Sequence, residues 1–200
     1  MPFENLAPGT VVVNRVTGER ATVIEPAHLT RGEYLVAEVT ALPGGHVSGE
    51  HYHPRLAERL EVLEGALGYV LDGERGVARP GDVLVVEPGA VHDWWNAGDG
   101  ATRFRVEVRP AGHFEDMIVA LWGLANEGRT NAKGIPGPLQ LAVIADAYGE
   151  DIVFTKPPRW VQRLMVAILA PIGRALGRTA HDPRWEELIV ESVPEGSAAG

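Results

Sequence analysis

Through the first 110 residues, apolar and polar positions alternate in short runs that break at turn residues. The cleanest run sets Thr102, Phe104, Val106 and Val108 against Arg103, Arg105, Glu107 and Arg109, the period of two that a half-buried strand requires. Thr10–Asn14 and Arg20–Glu25 flank Thr17-Gly18, which reads as a hairpin turn. Glu33–Leu42 ends at Pro43-Gly44-Gly45. Further strand-like runs are Glu58–Glu64, Ala66–Leu71, Gly76–Arg79, Val83–Glu87 and Val91–Asn96, with turns at Asp72-Gly73, Pro80-Gly81 and Pro88-Gly89. Many short strands at this spacing predict a sandwich or a barrel of the jelly-roll kind.

After Pro110 the period lengthens. His113–Asn126 carries Phe114, Met117, Ile118, Leu121, Trp122 and Ala125 at helical spacing. A loop rich in Gly, Asn and Lys follows; Pro138 then opens a helix over Leu139–Tyr148 that Gly149 stops. A third apolar segment, Trp160–Leu176, has an uncharged stretch of ten residues, Leu164–Gly173. A bilayer span needs about 20 residues, so no transmembrane helix is expected. Pro171 should kink or end this helix near its middle. Its expected place is the outer face of the strand domain; a lid, a dimer contact or a membrane-surface helix are the alternatives. The tail from Pro194 to Gly200 is expected to be disordered.

At 200 residues the chain is one domain, or one domain with an appendage. It has no cysteine, which removes disulfides, thiolate metal sites and cysteine nucleophiles. A formal net charge of −9 without a basic stripe argues against nucleic acid. The start, Met1-Pro-Phe-Glu-Asn5, has neither a basic region nor an apolar core, so no signal peptide is read and a cytoplasmic location is the default expectation.

The candidate chemistry gathers in two stretches. His51 and His53 share one face of a strand that Pro54 closes. Glu58, Leu60 and Val62 share an inward face, which would send a carboxylate into an apolar interior, and that is costly without a cation beside it. His92, Trp94 and Asn96 share a face, with Asp93 and Trp95 opposite. Imidazole nitrogens with one carboxylate oxygen suit a mid-first-row transition metal. Asn96 reads as a structural hydrogen-bonding residue, Trp94 as inside and Trp95 as outside. His46 reads as loop, and His28, His113 and His181 as surface or helix-end residues. Ser48 and Thr40 lack the His and Asp partners of a nucleophile triad.

The first stretch resembles the first motif of the cupin family, Gly-x5-His-x-His-x4-Glu-x6-Gly, at Gly45, His51, His53, Glu58 and Gly65. The second motif, Gly-x5-Pro-x-Gly-x2-His-x3-Asn, is met by Gly81, Gly89, His92 and Asn96, with Glu87 in place of the family's proline. The resemblance implies an all-β, jelly-roll or double-stranded β-helix cupin barrel over residues 1–112. A C-terminal α-helical extension packed on it over 113–181 and a tail over 182–200 complete the expected organisation. It also implies His51, His53, Glu58 and His92 as ligands of one divalent transition metal (Fe, Mn, Ni or Zn), and a homodimer by fold analogy.

Four protein ligands around a six-coordinate ion leave two open positions, which favours catalysis over a closed structural site. The leading expectation is a dioxygenase-type oxidoreductase acting on a small, largely apolar molecule, since quercetinase-like cupins use such a ligand set. Leu60, Val62, Trp94, Asn96, Phe104 and Val106 would line the substrate pocket, and Glu58 would double as general base, its pKa tuned by burial toward the working pH. One alternative is Lewis-acid isomerase, decarboxylase or lyase chemistry; the scarcity of inward Lys and Arg argues against phosphorylated substrates. The other is a non-catalytic module that binds a metal or a small molecule.

Overall fold

The computed structural model describes residues 6–45 and 49–191. The readings of His46, Ser48 and the tail from Pro194 lie outside them. Ten strands come first in the chain: β1 (Val11–Val13), β2 (Arg20–Glu25), β3 (Leu35–Ala41), β4 (His51–Tyr52), β5 (Ala57–Glu64), β6 (Leu67–Leu71), β7 (Glu74–Ala78), β8 (Val83–Val86), β9 (His92–Asn96) and β10 (Thr102–Arg109). Then follow α1 (Phe114–Asn126), α2 (Pro138–Tyr148), β11 (Val153–Phe154), α3 (Arg159–Ala175) and α4 (Arg184–Ile189).

The strands form two antiparallel sheets, ordered β1-β2-β3-β10-β5-β8 and β11-β4-β9-β6-β7. No strand belongs to both among the described residues, so the expected barrel is a jelly-roll sandwich whose wall is not closed by hydrogen bonds. Alternation sets what each strand buries. Leu60 pairs with Val106 and Val62 lies opposite Phe104, and these side chains join Leu35, Leu56, Leu67 and Val108 in the interior between the sheets. Trp94 of β9 meets Phe104 of β10 edge to face at 5.0 Å, tying one sheet to the other.

Turn chemistry fixes the registers. Asp72 and Gly73 both have positive φ, 48° and 84°, as a two-residue turn between right-twisted strands demands. Gly65, the last glycine of the first motif, has φ 80°, and a Cβ there would fall 2.7 Å from the Ala101 carbonyl oxygen. Only glycine fits that corner.

A second core fills the space between β1, β2 and the helices: Val12, Ala21 and Val23 pack with Met117, Ala120, Leu124, Ile144, Trp185 and Ile189. Three findings correct the sequence reading. Residues 184–189 are helical rather than tail, and Trp185 is fully buried because Gly123 of α1 leaves room for it. Helix α3 runs unbroken past Pro171 to Ala175. The proline forfeits a single backbone bond, while Ala170 and Gly173 on either side of it are buried and Gly173 meets Leu139 and Val143 of α2. Accordingly α3 packs on α2 rather than on the sheets, and most of its surface stays exposed.

Candidate metal centre

His51 and His92 are directly opposed on β4 and β9, and their ring centroids lie 4.3 Å apart. His53, just past the end of β4, stands 5.2 Å from the His51 ring and 5.1 Å from that of His92. Ligand nitrogens of the three lie within 4.8 Å of one another, and all three side chains are buried. Glu58 reaches them from β5 in the other sheet, with Oε1 3.2 Å from His53 Nε2 and Oε2 3.5 Å from His92 Nε2. The four residues therefore meet between the sheets.

Each imidazole is anchored through Nδ1 to a backbone carbonyl: His51 to Gly49 at 2.9 Å, His92 to Ala90 at 3.1 Å and His53 to Asp151 at 2.6 Å. A carbonyl only accepts, so Nδ1 carries the hydrogen and Nε2 the lone pair. Buried His53 Nε2 and His92 Nε2 thus have no hydrogen-bond partner, and both face carboxylate oxygens. Lone pair against carboxylate is a repulsive arrangement that a cation resolves, either a second proton or a metal ion. Three imidazole nitrogens and one carboxylate fit a divalent transition metal, and the carbonyl anchors are the outer contacts that orient such ligands.

The charges follow the same geometry. Burial draws His51 down to about 4, reinforced by the neighbouring His92. Burial also draws His53 down, but its contact with Glu58 outweighs this and holds it above its ordinary value. Burial pushes Glu58 up, yet His53 and His92 hold it below the usual carboxylate range. This corrects the expectation that burial tunes Glu58 upward: its two imidazole partners win.

His51 and Glu58 open onto a cavity of about 1010 Å³. Leu60, Trp94, Phe104 and Val106 line it. Val62 and Asn96 do not. Val62 is enclosed in the interior core. Asn96 spends its amide on structure: it donates to the Ala41 and Gly100 carbonyls at 2.8 Å and accepts from Gly98 N–H and the Thr102 hydroxyl. The helices supply the opposite wall, with Met117, Tyr148 and Leu169. Lys133, Lys156, Arg159 and Arg163 also border it. The count of basic residues on the strands missed these because they come from the extension.

Other contributors from the extension had no signal in the sequence. Val153 and Phe154 pair with Tyr52 and His51 as β11. The Phe154 ring lies 5.9 Å from His51, and that of Phe114 5.8 Å from His53. Asp151 acts through its carbonyl, which no side-chain pattern encodes.

Residues 37–108 match the family described as a cupin domain. A curated relative, polyketide synthase CurC of Streptomyces cyaneus, is 30% identical over 93 residues, which are 46% of this chain and 60% of the relative. This chain thus spans 60% of that relative's length, less than two thirds. Among solved structures, a predicted oxalate decarboxylase from Thermotoga maritima is 20% identical with a TM-score of 0.44, over 50% of this chain and 89% of that one. The polyketide cyclase RemF from Streptomyces resistomycificus is 19% identical with a TM-score of 0.44, over 54% and 79%.

Proposed function

Because residues 37–108 are a cupin domain, we propose that this protein is a metal-dependent enzyme acting on a small, largely apolar organic molecule. His51, His53, Glu58 and His92 are the proposed ligands. One observation carries the reading: unpartnered Nε2 atoms of buried histidines converge with a carboxylate where a large apolar cavity ends. When bound, an Fe, Mn, Ni or Zn ion supplies Lewis acidity toward a substrate oxygen and, for the first three, electron exchange with dioxygen. Leu60, Trp94, Phe104 and Val106 hold the apolar body of the substrate and keep water from it. Glu58 belongs to both the cluster and the cavity lining, so it is the proposed acceptor of a proton from an acidic C–H or O–H of the substrate, a weak base as long as its imidazole partners hold its pKa down.

Two reactions fit. The oxygenase reading rests on the apolar, aromatic-lined pocket beside a redox-capable ligand set. Lewis-acid chemistry without oxygen, such as cyclisation, decarboxylation or lyase action, is favoured by the name of the curated relative, a polyketide synthase. Protein loaded with each metal is offered flavonols, catechols, β-diketones and poly-β-ketones, with oxygen uptake and product masses followed in air and under nitrogen. Uptake with a product enlarged by oxygen selects the oxygenase. Product under nitrogen selects Lewis-acid chemistry. No product with any metal overturns catalysis on these substrates and leaves a binding module.

A further inference from the structure

Residues 152–181 contain Lys156, Arg159, Arg163, Arg174 and Arg178 and no carboxylate, in a chain with a formal net charge of −9. Helix α3 occupies most of this segment and buries only Ala170 and Gly173 fully. Its outer side carries Trp160, Leu164, Ile168, Ile172 and Leu176 at four-residue spacing. All are exposed, from 46% for Ile172 to 70% for Trp160. A contiguous apolar row on an exposed helix marks a surface that something covers.

The charges beside the row decide what covers it. Arg159 reaches Glu150 at 3.6 Å and Arg174 pairs with Asp146. Lys156, Arg163 and Arg178 make no ion pair among the described residues. Lys156 and Arg178 flank the two ends of the apolar row. A second copy packed antiparallel about Ile168 would bring Lys156 and Arg178 of opposite copies toward one another at both ends of the row, with no acid in the segment to neutralise them. A surface of anionic lipid answers both features: acyl chains take the row, and phosphates take the cationic groups at its two ends. No described helix is long and apolar enough to cross a membrane, so α3 would lie on the bilayer rather than span it.

We propose that α3 seats this protein on the surface of an anionic lipid bilayer. The inference is independent of the metal chemistry. Met165, Val166 and Leu169 of the same helix border the cavity that ends at His51, so docking places on the lipid a helix that walls this cavity. The test is cosedimentation of the full chain with phosphatidylcholine vesicles, alone and with phosphatidylglycerol added. Wild type should sediment with the anionic vesicles and be released by salt. The Leu164→Asp/Ile168→Asp variant should partition at least about tenfold more weakly. Both changed residues are exposed, so circular dichroism and the melting temperature should stay at wild-type values. Lys156→Glu/Arg178→Glu should lose the preference for anionic vesicles. Wild type that stays in the supernatant, binds neutral vesicles equally well, or binds undiminished in the Asp variant would overturn the proposal. So would a dimer that the Asp variant dissolves without any vesicle binding.

Discussion

His53 gives its Nδ1 hydrogen to the carbonyl of Asp151 at 2.6 Å, across 98 positions of sequence. The histidine belongs to the sandwich and the carbonyl to the segment between α2 and β11, so the orientation of one candidate ligand depends on chain that follows the cupin match. The Asp151 carboxylate holds the acceptor in place by taking the His113 N–H at 2.6 Å. Asp151→Ala frees that segment while leaving all four ligands present. Metal affinity should fall about tenfold, the lower end of what the loss of an orienting partner costs, as read by competition with a chromogenic chelator. Unaltered affinity would mean that β11 alone fixes the carbonyl.

Elemental analysis of protein purified without chelator or added metal should give near one equivalent of a transition metal. The His51→Ala/His53→Ala variant should retain about a tenth or less, since two of four ligands are gone. Equal metal content in both would place the ion elsewhere.

Glu115 gives a pH dependence that no metal enters. Burial lifts its carboxyl to about 7; the Ala27 N–H opposes this, and the charges of Asp116 and Glu186 add to it. The unfolded chain ionises this group near pH 4.5, whereas the folded chain keeps the proton until about 7. Unfolding in that window releases a proton, so stability declines as pH rises through it, and the full penalty is present above 7. Glu115→Gln keeps an acceptor for Ala27 and carries no charge. It should exceed wild type by about 1–2 kcal/mol at pH 8, the shift being discounted for partial exposure, and match it at pH 4. Urea midpoints at the two pH values measure the difference; an identical gap at both would sink this account.

Trp185 tests whether the last helix belongs to the fold. Its side chain is fully buried, packed on Gly123. Trp185→Ala should cost about 3–5 kcal/mol, seen as a lower urea midpoint with an unchanged slope. A loss below about 1 kcal/mol would show α4 to be an ornament.

The sequence made the strands legible where one face is buried and the other wet, as on β10, because alternation is then forced by burial. The convergence of His51, His53, Glu58 and His92 was legible for the same reason: parity turns all four inward. Parity alone could not separate a cavity wall from a packed core, and Val62 lies in the latter. Asn96 reads both as a structural hydrogen-bonding residue and as part of the pocket, and its fully engaged amide answers to the first reading. Helix α4 is six residues long, too short for a periodic signal, and its two fully buried apolar side chains show only in packing. Pro171 was read from a local rule that tertiary contacts on both sides of it override.

The pairing of β11 with β4 has one more result. A strand at the margin of a sheet is an invitation to any other chain with an extended segment, including a sister molecule. Here the invitation beside His51 is already taken by Val153 and Phe154 of the same chain. The new margin is two residues long and is followed by Pro157 and Pro158, which have no N–H to offer. Strand-by-strand accretion is thereby blocked on the side of the molecule where the histidines converge; residues 190 and 191 likewise cover the edge of β1, so among the described residues sheet extension has β7 or β8 to start from.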